Sequence, residues 1–179
     1  MNLPNKLTVL RVIMVPFFVF FMLWDGFGDT GKYVAVVLFI LASMTDWLDG
    51  YLARKNHLVT DFGKFMDPIA DKLLVCSALI CLVENQLLAG WIVIIIIGRE
   101  FIISGFRLVA SDKGVVIAAS YWGKFKTVSQ MLMVILLILD LGGVFQVLAQ
   151  ILVWVALALT VISLIDYLVK NWKIMEGGL

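Results

Sequence analysis

The clearest signal in this chain is Asp46-Trp-Leu-Asp49-Gly50-Tyr-Leu-Ala53-Arg54, followed after eight residues by Gly63-Lys-Phe-Met-Asp67-Pro-Ile-Ala-Asp71. Both stretches adjoin apolar runs of the length that crosses a bilayer. A charged side chain at the centre of a membrane helix costs about 2.5–3.5 kcal/mol on insertion scales, so four carboxylates placed here need compensating positive charge. Two divalent cations would balance them, and carboxylate oxygens suit Mg²⁺, Mn²⁺ or Ca²⁺ better than zinc.

Helical spacing predicts that these carboxylates form one site. Each residue turns an α-helix by about 100°. The residues that share a face are Asp46, Asp49, Gly50 and Ala53 on one helix, and Gly63, Asp67 and Asp71 on the next. The small residues among them leave room for a ligand to approach the backbone. A single aspartate such as Asp61 is better explained as an interfacial residue or a helix cap, but four in register across one short loop favour a shared site. Two cations about 3.5–4 Å apart in such a site would clamp a phosphoryl group during in-line displacement.

The composition indicates a membrane protein. The chain has 179 residues, of which 63% are hydrophobic, and its mean hydropathy is +1.05. Soluble domains are only about 45–50% apolar. We therefore expect one membrane-embedded catalytic domain over residues 1–179. The net charge of +1 gives no support for nucleic-acid binding.

Apolar runs near the roughly 20 residues that span a bilayer alternate with turn-rich breaks. They predict an all-α integral membrane protein with six transmembrane helices at residues 7–24, 33–53, 62–83, 88–110, 121–140 and 145–169. With the N-terminus inside, all of the 14 Lys and Arg residues except Lys32 fall on the inner side. Because cytoplasmic segments are rich in Lys and Arg, both termini and the aspartates are predicted to be cytoplasmic.

The pattern D-x2-D-G-x2-A-R-x8-G-x3-D-x3-D resembles the signature of the CDP-alcohol phosphotransferase family, which consists of compact six-helix membrane proteins of this length. The resemblance implies two divalent cations, Mg²⁺ or Mn²⁺, held by Asp46, Asp49, Asp67 and Asp71. It implies that Asp71 is also the catalytic general base and that CDP-diacylglycerol is the donor. It further implies a homodimer in the cell (inner) membrane, with the active site facing the cytoplasm.

The chain begins with Asn2-Leu-Pro-Asn5-Lys-Leu-Thr8-Val-Leu-Arg11, which resembles the family's N-terminal P-N-x-L-T-x-x-R segment. One interpretation is an interfacial anchor in which Thr8 bonds to the backbone and Arg11 meets lipid head groups. The resemblance favours a second, in which the segment lines the donor site. The residues then predicted to bind CDP-diacylglycerol are Asn5, Thr8, Arg11, Asp46, Gly50, Ala53, Arg54, Gly63 and Asp67. Arg54 either meets a phosphate or anchors its helix end.

A second polar group lies in the fourth and fifth predicted helices. Arg99 and Glu100 interrupt an apolar run, and Arg107 follows on the face of Glu100. Helix five opens with Lys124 and Lys126. We predict that Arg107, Lys124 and Lys126 bind the phosphate of an acceptor through charge-assisted hydrogen bonds, and that Arg99 is mainly structural. The alternative is that an arginine only neutralises Glu100 and that the lysines only follow the positive-inside rule.

The segments 98–107 and 122–127 resemble phosphatidylglycerophosphate synthases within the family. This resemblance implies sn-glycerol 3-phosphate as acceptor, with phosphatidylglycerol phosphate and CMP as products. Inositol phosphate or phosphatidylglycerol as acceptor stays open. A divalent-cation transporter is the alternative from another class, but its carboxylates should trace a path across the membrane rather than cluster at one face.

Overall fold

The computed structural model describes residues 2–55, 61–112, 114, 115, 117 and 120–175, and gives the backbone alone at residues 3, 4, 25, 46–55, 61–65, 112 and 173–175. The described residues form six α-helices and one short 3₁₀ turn, Asp25–Phe27, without any strand. The helices are α1 (Leu3–Leu23), α2 (Asp29–Lys55), α3 (Asp61–Glu84), α4 (Gly90–Asp112), α5 (Tyr121–Leu139) and α6 (Gly143–Met175). The prediction of an all-α fold with six helices is confirmed.

Apolar length makes three of the described helices candidates to cross a membrane. They are Asn5–Leu23, Tyr121–Leu139 and Gly143–Trp172. The last belongs to α6, which has 33 residues and is therefore about 50 Å long. Because a bilayer core is about 30 Å thick, part of α6 extends beyond it. The described helix runs to Met175, six residues beyond the predicted 169, because its polar final turns are helical.

The first compact unit, Met1–Leu87, contains the first three helices, and α1 packs against both α2 and α3. The rings of Phe18 and Phe39 meet at 5.9 Å between centroids, and both are buried. Ala35 and Ala42 are fully buried on α2, and such small residues let helices approach closely. After α3, Asn85 Nδ2 donates to the carbonyl oxygen of Met22 at 3.1 Å, which joins the end of α3 to the end of α1.

The second compact unit, Leu88–Leu179, contains the last three helices, and α6 packs against both α4 and α5. Ser120 caps α5, because its hydroxyl accepts a hydrogen bond from the backbone N–H of Gly123 at 3.1 Å. The turn into α6 contains Gly142 and Gly143 with φ of 71° and 54°. This left-handed conformation is open to glycine at little cost, so glycine suits this turn between α5 and α6.

Candidate functional site

The two halves of the acidic motif occupy the C-terminal turns of α2 and the N-terminal turns of α3, and these helices pack against each other. Spacings of three and four residues place Asp46 with Asp49, and Asp67 with Asp71, on one face of their helices. Several predicted site residues lie outside the described side chains, and their roles stay predictions. They are Asp46, Asp49, Gly50, Ala53, Arg54 and Gly63.

Asp67 is held by a residue that is distant in sequence. The hydroxyl of Thr8 donates to Asp67 Oδ1 at 2.6 Å, and Thr8 itself is completely buried. Thr8 and Asp67 are both predicted to bind the donor. Neither interpretation of the N-terminal segment, as a lipid anchor or as part of the donor site, includes a bond between them. Asp67 and Asp71 are both half-buried on α3. The structure therefore brings Thr8 and Asp67 into contact in the first unit.

Arg11 connects α1 to α2 in a similar way. Its side chain is completely buried, and its Nε donates to the carbonyl oxygen of Ala42 at 3.2 Å. It also lies 3.5 Å from the hydroxyl of Thr45, which donates to the same carbonyl oxygen at 2.6 Å. Thr45 directly precedes Asp46 in α2. Asn5, the third polar residue predicted in this segment, is also buried. Burial disfavours contact of these side chains with lipid head groups.

The chemistry of the donor set fits a hard divalent cation. Carboxylate oxygens are the ligands that Mg²⁺ and Mn²⁺ prefer. A carboxylate has two oxygens with about four lone-pair sites, so Asp67 can accept from Thr8 and still bind a cation. No group of three potential metal ligands occurs among the described residues. The predicted group of four also needs Asp46 and Asp49, whose side chains lie outside that description.

In the second unit, Glu100 forms ion pairs with two cations. Arg99 Nη1 lies 3.0 Å from Glu100 Oε1, and the ammonium of Lys126 binds the same oxygen. Arg99 Nε also donates to the hydroxyl of Ser163 on α6 at 3.1 Å. The cluster joins α4, α5 and α6 through buried charges, since Lys126 is only 2% exposed. Arg99 therefore makes the structural contacts predicted for it, whereas the pairing of Lys126 with Glu100 was not predicted.

The other two predicted acceptor ligands, Arg107 and Lys124, are exposed within this unit. Lys124 Nζ lies 5.3 Å from the centroid of the Tyr121 ring. Lys124 and Lys126 are two residues apart, so helical geometry turns them about 200° from each other. The structure accordingly separates two lysines that the prediction had grouped together.

A cavity of about 310 Å³ lies beside the C-terminal part of α6, and the sequence analysis did not predict it. It is lined by Val115, Ile117, Ser120, Asp166, Tyr167, Lys170 and Asn171. Within the described part of the chain, the Tyr167 hydroxyl and Asp166 Oδ2 have no hydrogen-bond partner, and Tyr167 is 97% buried. Asp166 Oδ1 pairs with Lys170 at 2.6 Å. The only signal in the sequence was this i, i+4 charge pair at the end of an apolar helix.

Comparison with known proteins identifies the class. Residues 1–162 match a family model described as CDP-alcohol phosphatidyltransferase. The chain belongs to this family, so the resemblance seen in the acidic motif is confirmed. Family members are membrane enzymes that generally use divalent metal ions.

Three relatives are similar over nearly the whole chain. The CDP-diacylglycerol–glycerol-3-phosphate 3-phosphatidyltransferase of Bacillus subtilis (strain 168) is 46% identical, covering 98% of this chain and 97% of the relative. The protein of the same name from Haemophilus influenzae is 42% identical, covering 99% of this chain and 95% of the relative. A probable phosphatidylglycerophosphate synthase of Mycobacterium tuberculosis (strain H37Rv) is 41% identical, covering 98% of this chain and 84% of the relative.

Replacing Glu100 tests the buried charge cluster. Glu100→Gln removes the anion and leaves the positive charges of Arg99 and Lys126 uncompensated, so we expect a loss of about 3–5 kcal/mol in stability. Unfolding of the purified protein in mixed micelles measures it. Asp29→Asn is the control, because Asp29 pairs with Lys32 at 3.3 Å but is 83% exposed, and exposed pairs contribute about 0–1 kcal/mol. Equal, small losses in both variants would contradict the structural role of Glu100.

Proposed function

We propose that this protein transfers the phosphatidyl group of CDP-diacylglycerol to sn-glycerol 3-phosphate, giving phosphatidylglycerol phosphate and CMP. The observation that carries the proposal is the complete acidic motif on α2 and α3 of a chain that is 46% and 42% identical to transferases named for this reaction. The enzyme acts as a single catalytic domain of six transmembrane helices in the cell (inner) membrane, as a homodimer, with both termini and the active site on the cytoplasmic side.

The acidic motif performs the chemistry in this proposal. Asp46, Asp49, Asp67 and Asp71 would hold two divalent cations, Mg²⁺ or Mn²⁺, which would supply charge neutralisation at the donor's pyrophosphate. Asp71 accepts the proton of the attacking hydroxyl of glycerol 3-phosphate. The hydroxyl oxygen then forms a bond to the lipid-side phosphorus, while the bond from that phosphorus to the oxygen of CMP breaks. CMP leaves with the bonding electron pair.

The donor is bound from α1 and from the motif itself. Asn5 and Arg11 are buried polar side chains on α1, and Arg11 contacts α2 one to four residues before Asp46. Their burial supports a role in the interior of the unit rather than at its lipid-facing surface. The small residues of the motif, Gly50, Ala53 and Gly63, would allow close backbone contact with the nucleotide. Arg54 would meet a phosphate.

The acceptor is bound in the second unit. Arg107 and Lys124 are exposed cations, and either can donate to a phosphate oxygen. Phe106, which directly precedes Arg107 in α4, packs its ring edge-on against Tyr167 with centroids 6.0 Å apart. The Tyr167 hydroxyl and Asp166 Oδ2 suit the hydroxyl groups of glycerol 3-phosphate. The buried ion pair of Lys126 favours a supporting role over direct contact with phosphate.

CMP release from CDP-diacylglycerol tests the proposed reaction. We expect release only when both Mg²⁺ and glycerol 3-phosphate are present, and we expect Asp71→Asn to abolish turnover while the protein still folds. Release with inositol phosphate or phosphatidylglycerol instead would change the acceptor and keep the class. Divalent-cation flux in proteoliposomes without CMP release would favour a transporter and overturn the proposal.

Variants in the second unit test the acceptor assignment. Losing a hydrogen bond to a charged group costs about 1.5–3 kcal/mol, so Arg107→Ala or Lys124→Ala should raise the KM for glycerol 3-phosphate about tenfold or more. Tyr167→Phe should raise it by a smaller factor. The KM for CDP-diacylglycerol should stay unchanged, and so should both KM values in the controls Lys32→Ala and Tyr33→Phe. An equal rise for both substrates would contradict the assignment.

A further inference from the structure

We propose that Arg99 is a positioning residue for the acceptor, because it supports both the first turn of α5 and the part of α6 that lines the cavity. Gly123 makes this possible by leaving room for the guanidinium. The inference rests on the proposed function in taking Lys124 and the cavity as parts of the acceptor site. The observation that carries it is that a Cβ placed on Gly123 would lie only 3.2 Å from Arg99 Nη2.

Gly123 lies in the first turn of α5, between two groups assigned to the acceptor site. Its backbone N–H donates to the hydroxyl of Ser120, which caps α5 and lines the cavity. The backbone N–H of Lys124 closes the same turn by donating to the carbonyl oxygen of Ser120 at 3.3 Å. A displacement of Gly123 is therefore passed on to the cavity at Ser120 and to the backbone of Lys124.

The guanidinium of Arg99 holds this turn of α5 to α4 and α6. Its Nη2 lies beside Gly123, its Nε donates to Ser163 Oγ on α6 at 3.1 Å, and its Nη1 lies 3.0 Å from Glu100 Oε1. Glu100 also pairs with Lys126 in the next turn of α5. Because a guanidinium is a rigid planar fork, fixing two of its nitrogens also fixes the third, which faces Gly123.

The same arginine supports the cavity from α6. Ser163 is completely buried, and its hydroxyl accepts from Arg99 and donates to the carbonyl oxygen of Thr160 at 3.0 Å. Asp166 and Tyr167 line the cavity. They follow Ser163 by three and four residues, so they neighbour it on one face of α6. Arg99 thus connects two of the elements that line the cavity, α6 and the start of α5.

A side chain at residue 123 would disturb this support. A separation of 3.2 Å is tighter than an ordinary van der Waals contact, so Arg99 or the turn would have to move by a few tenths of an ångström. The bonds to Glu100 and Ser163 oppose a movement of Arg99. Since a misplacement of 1 Å can cost about 10²-fold in rate, a few tenths should cost about fourfold.

The first experiment measures both KM values, kcat and unfolding of purified Gly123→Ala in mixed micelles with Mg²⁺. We expect the KM for glycerol 3-phosphate to rise about fourfold, with kcat and the KM for CDP-diacylglycerol unchanged and no loss of stability. Gly105→Ala is the matched control and should behave like the parent, because a Cβ on Gly105 meets nothing within 4 Å. An equal rise of both KM values in Gly123→Ala would contradict the inference.

A double variant tests whether the effect passes through Arg99. Arg99→Lys keeps a positive charge beside Glu100 but has no planar fork, so it leaves space at residue 123. Residues in contact have non-additive effects. In the Arg99→Lys background, Gly123→Ala should therefore leave the KM for glycerol 3-phosphate unchanged. The same rise in both backgrounds would show that Gly123 acts without Arg99 and would overturn the inference.

The contact with α6 provides a test that does not depend on Gly123. Ser163→Ala removes the acceptor of the Arg99 Nε hydrogen bond and should raise the KM for glycerol 3-phosphate about twofold or more. Thr160→Val is the matched control, because Thr160 is also completely buried and donates its hydroxyl to Ala156 of its own helix at 2.6 Å. A parent-like KM in Ser163→Ala would overturn the inference, even where Gly123→Ala does not fold.

The acceptor that the parent uses separates this inference from the proposed function. CMP release with another acceptor only would refute glycerol 3-phosphate, and a raised KM for that acceptor in Gly123→Ala would still support the role of Arg99. A parent that releases CMP with glycerol 3-phosphate, and whose Gly123→Ala and Ser163→Ala variants keep its KM, would refute the inference alone. No CMP release with any acceptor would refute both.

Discussion

Ionised groups buried among apolar helices need a partner of opposite charge or a strong hydrogen bond, because an isolated charge costs several kcal/mol in such surroundings. This constraint arranges the polar residues of both units. Glu100 pairs with both Arg99 and Lys126, and Asp67 accepts a hydrogen bond from the Thr8 hydroxyl. The charges that satisfy one another inside a unit hold its helices together. In the proposed function, exposed cations such as Arg107 are the ones that bind the acceptor.

The first helix shows how one element can serve both packing and chemistry. α1 is apolar enough to cross a membrane, yet Asn5, Thr8 and Arg11 are buried within the first unit. Thr8 reaches α3 at a predicted cation ligand, and Arg11 reaches α2 just before another. α1 thus fixes both helices that carry the acidic motif. Membership of the CDP-alcohol phosphatidyltransferase family gives this arrangement a chemical purpose, since divalent cations at a phosphoryl centre must be held accurately.

Much of the fold could be predicted from the sequence, because apolar runs near 20 residues long and the breaks between them mark helices directly. The extra turns of α6 could not, since hydropathy falls before the helix ends. Within the site, the spacing of Asp67 and Asp71 on one face followed from helical periodicity. The grouping of Lys126 with Lys124 ignored the same periodicity, which turns the two lysines apart. The bond between Thr8 and Asp67 joins residues 59 positions apart, and a single sequence contains no signal for such a pair. The cavity beside Tyr167 depends in the same way on packing between distant segments.

In the proposed mechanism, the carboxylates of α2 and α3 would hold divalent cations that neutralise charge on the phosphate that is transferred. The most direct measurement compares turnover of CDP-diacylglycerol with turnover of an analogue in which sulfur replaces a non-bridging oxygen of the lipid-side phosphate, in Mg²⁺ and then in Cd²⁺. Mg²⁺ is a hard cation that binds sulfur poorly, whereas Cd²⁺ is soft. We expect the analogue to react slowly in Mg²⁺, and we expect Cd²⁺ to restore its turnover relative to the oxygen substrate. The same ratio of the two substrates in both metals would contradict a cation on the reacting phosphate.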